Sequence, residues 1–212
     1  MEKKIYTLVF ALGLSLVSFG LFAQTGNPAQ GEQEAAICAA CHQPNGQGMN
    51  IPGGESWPSL AGLNASYLAK QLHDFKTGKR TNASMLPFAT MLNDQQILDL
   101  AAYYASLPAL EVSPANEDSD LLNLGKKLAE TGDWDRYIVP CASCHGPSNQ
   151  GAGEHFPAIA GQHPGYIEAQ LLAWQDGSRA NDPQDLMLAI AKRMTKQDIK
   201  AVAAWLASQP AK

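Results

Sequence analysis

The sequence is poor in cysteine, in basic residues and in alternating apolar patterns, and each shortage argues against a class of protein. Its 212 residues include four cysteines, and all four fall in two short motifs, so none is left over for a disulfide. The 15 lysines and arginines are outnumbered by 20 acidic residues, a balance that argues against nucleic acid as a partner. No run of useful length alternates apolar and polar residues, so an extended sheet is not expected. From these shortages we expect a weakly acidic protein that is mainly helical.

Long apolar runs are also missing, with one exception at the start of the chain. Lys3 and Lys4 precede an apolar run over residues 5–22, which is the pattern of a secretory signal peptide. We therefore predict a signal peptide over residues 1–23. Its cleavage site is left open, because Ser18-Phe19-Gly20 fits a small-x-small pattern whereas cleavage after Ala23 would leave the larger Leu21 at position minus three. A retained membrane anchor is the alternative, because the run approaches the ~18 residues of a membrane span. Either way the rest of the chain is predicted to lie on the exported side.

The four cysteines form two copies of one motif, Cys38-Ala-Ala-Cys-His42 and Cys141-Ala-Ser-Cys-His145. A separation of three residues puts both thiols on one side of a helical turn. There each thiol can form a thioether with a haem vinyl group, and the next residue, a histidine, can ligate the iron. The motif also occurs in zinc sites and dithiol oxidoreductases, but zinc-binding pairs lie about 15–20 residues apart and these lie 103 apart. The sequence therefore predicts two covalent haem c groups, attached through Cys38, Cys41, Cys141 and Cys144, with His42 and His145 as iron ligands.

An internal repeat divides the chain into two similar halves. Trp57-Pro-Ser-Leu-Ala-Gly62 matches Phe156-Pro-Ala-Ile-Ala-Gly161 at an offset of 99, and later segments match at an offset of 102. Between the halves, residues 109–120 contain four acidic residues and a proline but no basic residue, which is typical of a linker. We therefore predict an N-terminal domain over residues 24–108, an acidic linker over 109–120 and a C-terminal domain over 121–212.

Apolar spacing predicts short helices in both halves. Apolar residues recur at helical intervals over residues 68–75 and 97–104, and again over 167–174 and 199–206. Further helices are expected before each cysteine motif, near residues 30–37 and 121–130. The predicted fold class is all-α, with two tandem domains of a few short helices wrapped around a haem.

Each iron needs a second axial ligand, and a methionine thioether opposite histidine gives a six-coordinate iron of raised potential. The candidates are Met85 and Met91 in the first half and Met187 and Met194 in the second. Met85 and Met187 each stand eight residues before the start of the last predicted helix of their half, whereas Met91 and Met194 do not align. We therefore predict Met85 and Met187 as the axial ligands, with Met91 and Met194 as packing or surface residues.

Five further polar residues leave alternatives open. His73, His155 and His163 would be ligands in a bis-histidine arrangement, but none has a histidine counterpart in the repeat, so surface or loop positions are expected. Arg80 and Arg179 stand at equivalent positions of the repeat. They are interpreted either as partners of haem propionates, which a guanidinium suits, or as solvated loop arginines.

Together these features resemble the cytochrome c4 family of dihaem class I cytochromes c, over essentially all of the mature chain. The resemblance rests on the two cysteine motifs, on the Met85 and Met187 segments and on four further segments: residues 58–62 and 157–161, Phe75-Lys-Thr-Gly-Lys-Arg80 and Trp174-Gln-Asp-Gly-Ser-Arg179. It implies two histidine- and methionine-ligated haems, packed so that electrons pass between them. It also implies that the carbonyls of Pro58 and Pro157 accept hydrogen bonds from the ligating histidines.

The resemblance further implies a periplasmic carrier of single electrons. Its partners would be redox proteins, from a quinol-oxidising or other respiratory donor to a terminal oxidase, with the carrier soluble or peripherally associated with the membrane. An iron whose axial positions are both filled by protein has no place for a substrate, so enzymatic activity is not expected. The alternatives are a haem enzyme, such as a dihaem peroxidase with an open iron, and a haem subunit of a larger membrane dehydrogenase or oxidase.

Overall fold

The computed structural model describes residues 25–112 and 118–211. The predicted signal peptide and the central part of the predicted linker lie outside the described residues. Among the described residues, no helix is both long and apolar enough to cross a membrane.

The first half of the chain folds into short helices around a small apolar core. Its helices are α1 (Pro28–Glu34), α2 (Ala39–His42), α3 (Ala65–Lys76), α4 (Leu86–Met91) and α5 (Asp94–Ser106). Helix α5 packs against both α1 and α3, and α4 packs on α3. The core consists of buried residues from these helices, including Leu68, Ile97, Leu100 and Tyr104.

The second half repeats this arrangement. Its elements are α6 (Ser119–Glu130), α7 (Ala142–His145), β1 (Gln150–Ala152), β2 (Phe156–Ala158), α8 (Pro164–Asp176), α9 (Leu186–Ala191) and α10 (Lys196–Ala207), with 3₁₀ turns over Trp134–Arg136, Pro147–Asn149 and Pro183–Asp185. Helix α10 packs against α6 and α8, as α5 packs against α1 and α3. The core again combines residues of the long helices, including Leu128, Ile167, Trp174, Ile199 and Leu206. The all-α fold class and the similarity of the halves are confirmed.

A small hairpin in the second half was not predicted. Strands β1 and β2 pair antiparallel, with Gln150 opposite Ala158 and Ala152 opposite Phe156. In the first half the equivalent segment forms a single bridge between Met49 and Trp57. Each strand is three residues long, too short for an alternating pattern to be recognised in the sequence.

Capping boxes begin the last helix of each half. The Asn93 side chain accepts a hydrogen bond from the backbone of Gln96, whose own side chain bonds back to Asn93. Thr195 and Asp198 form the same reciprocal pair at α10. These pairs satisfy backbone N–H groups that a helix start leaves without partners. The helices α5 and α10 therefore start at Asp94 and Lys196, one residue after the starts that the sequence predicts.

Two glycines let the helices cross at close range. A Cβ atom on Gly31 of α1 would lie 2.1 Å from the Asp99 carbonyl oxygen of α5, and one on Gly125 of α6 would lie 2.1 Å from the Ala201 carbonyl oxygen of α10. Only a residue without a side chain fits at either crossing. The crossing fixes the helix that leads into each cysteine motif against the last helix of the same half.

Candidate haem sites

Each cysteine motif forms one tight helical turn. Cys38 precedes α2, and the His42 N–H donates to the Cys38 carbonyl at 2.9 Å; the His145 N–H donates to the Cys141 carbonyl at the same distance. All four cysteines are partly exposed, and none of them is in a disulfide. The turn therefore presents two thiols and an imidazole to one side of the chain in both halves.

The two motif histidines are held in the same orientation. His42 Nδ1 lies 2.9 Å from the Pro58 carbonyl oxygen, and His145 Nδ1 lies 2.7 Å from that of Pro157. Nδ1–H is then the donor, and the Nε2 lone pair of each ring is left to bind a metal. Each histidine is 7% exposed, and burial lowers the pKa of both imidazoles although the proline carbonyls raise it. The neutral imidazole, which is the ligating form, is thereby favoured.

The first thiol of each motif lies in apolar surroundings. Cys38 packs against the core of the first half and Cys141 against that of the second. Burial raises the pKa of the Cys38 thiol and raises that of Cys141 to about 11. Redox dithiols depend on a lowered cysteine pKa, so these thiols are poorly suited to dithiol exchange. Within the described residues no group of three or more His, Cys, Asp or Glu side chains is placed to hold a metal ion.

The methionines fall into two pairs with different surroundings. Met85 and Met187 are both half-buried, and Met187 packs at the edge of the same core as Cys141. The two other candidates, Met91 and Met194, differ from each other, because Met91 is 65% exposed whereas Met194 is 7% exposed within the core. The aligned pair thus shares one environment and the other pair does not.

Two polar side chains that sequence reasoning missed anchor the predicted methionine ligands. The Met85 N–H donates to Asn82 Oδ1 at 2.8 Å, and the Met187 N–H donates to Asp182 Oδ2 at 2.7 Å. Asp182 also accepts a hydrogen bond from Trp174 Nε1 at 2.9 Å. The sequence signal that could have identified them is a short polar residue shortly before each methionine: Asn82 lies three residues before Met85, and Asp182 lies five residues before Met187.

The remaining histidines lie apart from the motifs. His73 is within α3, and the exposed His155 lies 3.2 Å from Glu154. His163 precedes α8, and its Nε2–H donates to the Gln47 carbonyl of the other half at 2.7 Å. The expectation of a surface or loop position holds for His155, whereas His163 belongs to the boundary between the halves.

Arg80 and Arg179 are buried, at 7% and 6% exposure. The interpretation as solvated loop arginines is therefore wrong for both. Their guanidinium groups stack on Phe75 and Trp174, with the guanidinium carbon 4.6 Å and 4.0 Å from the ring centroids.

These donor sets fit a covalently held haem. Each half offers two partly exposed thiols on one helical turn, a neutral imidazole with a free Nε2, and a half-buried methionine. The fold and the sites together define a protein made of two class I cytochrome c domains.

Comparison with known proteins identifies the family. The sequence profile of the family described as Cytochrome c matches residues 29–108 and 123–210. The chain is 47% identical over 178 residues to the thiosulfate dehydrogenase electron acceptor of Thiomonas intermedia, covering 84% of this chain and 80% of that protein. It is 37% identical over 208 residues to cytochrome c4 of Pseudomonas aeruginosa, covering 97% and 98%. The crystal structure of reduced cytochrome c4 from Pseudomonas stutzeri matches 88% of this chain and 100% of its own, with a TM-score of 0.80 at 31% identity.

The chain therefore belongs to the dihaem cytochrome c4 family. It binds two haem c groups covalently and carries electrons between redox partners. The predicted cofactors and the predicted family are confirmed.

Proposed function

We propose that Cys38, Cys41, Cys141 and Cys144 form the haem thioethers, and that His42 with Met85 and His145 with Met187 are the axial iron ligands. The observation that carries this assignment is the duplicated geometry: in each half a buried histidine after two thiols donates through Nδ1 to a proline carbonyl. The anchored backbones of Met85 and Met187 support the second ligand. When bound, the haem supplies the one-electron chemistry, and these side chains hold it and close both axial positions.

Closed axial positions favour a carrier over an enzyme. Peroxide or oxygen chemistry needs an open iron position, and two histidine- and methionine-ligated sites leave none. The proposed role is to take up and release single electrons at each site during brief encounters, which involve small interfaces. Export by the predicted signal peptide would place the carrier in the periplasm, free or at the membrane surface.

We further propose that the electron donor is a thiosulfate-oxidising dehydrogenase and that a terminal oxidase is the acceptor. The support for the donor is the 47% identical relative that is named for accepting electrons from thiosulfate dehydrogenase. This donor is more specific than the quinol-oxidising or other respiratory donor that the sequence resemblance implies.

The ligand assignment is tested on the purified protein. Two covalent haems per chain are expected by haem stain under denaturing conditions and by the pyridine haemochrome spectrum. A ferric methionine-to-iron absorption band at the red end of the spectrum is expected for both haems. A high-spin ferric signal in the resting protein would instead favour the dihaem peroxidase alternative, and it would be followed by a peroxide turnover assay.

The donor assignment is tested by rapid mixing. A thiosulfate dehydrogenase with thiosulfate should reduce both haems at a rate that depends on dehydrogenase concentration, whereas thiosulfate alone should not. Rapid reduction by a quinol-oxidising complex together with no reduction by the dehydrogenase would overturn it. Stable co-purification with a membrane complex would favour the subunit alternative.

A further inference from the structure

One loop of the first half is longer than its equivalent in the second half. The connection from His42 to Trp57 contains 14 residues, whereas the equivalent connection of the second half contains 10. Backbone hydrogen bonds between Met49 and Trp57, at 2.8 and 2.9 Å, close the base of the longer connection. We call residues 49–56, which lie within this closure, the strap. The strap gives the first half contacts that the internal repeat does not share.

The strap bonds to the segment that carries the predicted methionine ligand of the first haem. Glu55 Oε1 accepts a hydrogen bond from Asn82 Nδ2 at 2.8 Å, and Glu55 Oε2 accepts one from Ser84 Oγ at 2.9 Å. The same Asn82 side chain accepts from the Met85 N–H through Oδ1. Hydrogen bonds to a carboxylate are stronger than those between neutral groups. A carboxylate of the strap therefore holds two polar residues that precede Met85.

Glu55 also decides which end of the Asn82 amide faces Met85. An asparagine amide has an oxygen that accepts and an NH₂ group that donates, and only the oxygen can bond to the Met85 N–H. Because the Glu55 carboxylate accepts but cannot donate, it binds the NH₂ group and leaves the oxygen for Met85. The second half needs no such partner, since the Asp182 carboxylate itself accepts from the Met187 N–H.

The strap is braced internally and against the second half. The buried Ser56 hydroxyl accepts from the Ile51 N–H at 2.9 Å and donates to Asn50 Oδ1 at 3.3 Å. Asn50 Oδ1 also accepts from the N–H of Gly165, at the start of α8, at 3.1 Å. A Cβ atom on Gly165 would lie 2.4 Å from Ser56 Oγ, so α8 packs closely on the strap. The segment before Met85 is therefore connected through the strap to the second half.

Glu154 is the counterpart of Glu55 in the internal repeat. It stands two residues before Phe156, as Glu55 stands two residues before Trp57. Its exposed carboxylate lies 3.2 Å from Nε2 of the neighbouring His155. The same position of the repeat thus has different partners in the two halves, and the glutamate of the first half is the one bonded to a methionine segment.

We infer that Glu55 is a positioning residue for Met85, and that the strap holds the methionine segment of the first haem site against the second half. This inference rests on the proposed assignment of Met85 as an iron ligand. Substitution of a residue that supports a metal ligand typically costs about 10–100-fold in metal affinity. Loss of the strap contacts should therefore let Met85 leave the first iron more often and should not affect the second iron.

Imidazole titration of the ferric protein with both haems attached tests this inference. Imidazole can bind an iron only while the methionine is displaced, so its apparent affinity rises with the open fraction of that site. Glu55→Ala should tighten imidazole binding about tenfold at the first haem alone. Met85→Ala, whose first iron lacks the methionine throughout, identifies the binding event of the first haem. Glu154→Ala is the matched control and should move neither binding event.

Two further variants separate the contacts of the strap. Glu55→Gln keeps an oxygen for Asn82 and should leave imidazole binding within about threefold of that of the unsubstituted protein. Asn50→Ala removes the acceptor for the Gly165 N–H and should tighten imidazole binding at the first haem by a smaller factor than Glu55→Ala. An effect of Glu55→Gln as large as that of Glu55→Ala would show that the hydrogen bonds do not position Met85. No effect of Asn50→Ala would overturn the support from the second half.

The result for Glu55→Ala itself decides the main claim. Equal tightening at both haems would overturn the assignment to Met85. Unchanged imidazole binding, with or without a lower melting temperature, would show a purely structural contact and would also overturn it. No effect of Met85→Ala on imidazole binding would instead refute the proposed ligand assignment.

Discussion

At the scale of single residues, the sites depend on hydrogen bonds that orient a side chain before any metal is bound. The carbonyls of Pro58 and Pro157 fix the tautomer of the motif histidines, and Asn82 and Asp182 fix the backbone of the predicted methionine ligands. Outer contacts of this kind tune a metal site as well as position it. Substitutions at these residues therefore test both whether the iron keeps its ligand and whether its reduction potential changes.

Replacing Met85 or Met187 by alanine should convert one haem to a high-spin ferric state and lower its potential. The reason is that the thioether is the ligand that raises the potential. A fall equivalent to at least about tenfold in the ratio of reduced to oxidised haem is expected, measured by redox titration together with electron paramagnetic resonance. Met91→Ala and Met194→Ala are the controls. A high-spin signal from either control would show that the repeat alignment of the methionines is wrong.

The Asp198 carboxylate should make stability depend on pH. Burial raises the pKa of Asp198, but hydrogen bonds from Arg136 and Thr195 lower it overall, and Arg136 Nη1 lies 2.7 Å from its Oδ2. A carboxyl group with a lowered pKa stabilises the fold above its ordinary pKa, and the contribution is lost as pH falls through the lowered value. Asp198→Asn should therefore cost about 1–3 kcal/mol at pH 7, and the difference from the unsubstituted protein should shrink below about pH 4.

Denaturant unfolding at several pH values measures this dependence. The exposed Asp135→Asn is the control and should change stability little at any pH. A difference between Asp198→Asn and the unsubstituted protein that stays constant from pH 7 to about pH 3 would contradict the predicted role of the Asp198 charge.

At the scale of elements, each half depends on two helices that cross at a glycine. Gly31 brings α1 onto α5, and Gly125 brings α6 onto α10. These crossings place α1 and α6, the helices that precede the cysteine motifs, against the helices that follow the methionine segments. The two ends of each half are thereby held around the haem site.

Gly125→Ala should destabilise the second half even though alanine favours a helix. The added Cβ would lie 2.1 Å from the Ala201 carbonyl oxygen and 2.7 Å from the Trp205 Cβ, so α6 and α10 must separate. Overpacking of this kind costs about 1–3 kcal/mol, more than the ~1 kcal/mol gained in helix propensity. Thermal unfolding with the haems attached measures the difference. Asn123→Ala, on the exposed side of α6, is the control and should be neutral or stabilising; equal stability of both variants would refute the close crossing.

At the scale of the whole molecule, several buried polar contacts join the two halves. The Gln162 side chain pairs with both backbone groups of Ser59, and His163 reaches the Gln47 carbonyl. Contacts of this kind are directional, and losing one leaves its partner unsatisfied. They therefore set one arrangement of the halves rather than merely holding them together.

Gln162→Ala should loosen the boundary by leaving the Ser59 N–H and carbonyl without partners. A cost of about 1–3 kcal/mol in docking of the halves is expected. Hydrogen exchange at Ser59 and its neighbours should become faster, while the absorption spectra of both haems stay unchanged. Gln197→Ala, an exposed residue of α10, should leave exchange at the boundary unaltered. Unchanged exchange in Gln162→Ala would show that this pair does not hold the halves together.

Much of the fold was predictable because it follows from local patterns. Helical spacing predicts α3, α5, α8 and α10, and the repeat predicts that the halves are alike. The hairpin β1–β2 was missed because its strands are too short to show a period. The helix crossings at Gly31 and Gly125 were missed, because the sequence does not show which backbone segment will pack against a glycine in a helix.

The sequence by itself determined the motifs, the helical class and the two haem c groups, since these depend on residues that are near neighbours along the chain. Only the tertiary structure decided the surroundings of Arg80 and Arg179. Both arginines are buried, and they share the partners Gln71 and Gln170, which come from opposite halves. No local pattern encodes a contact between residues about one hundred positions apart. The same holds for Gln162 and Ser59, because burial and charge at a boundary depend on how the halves meet.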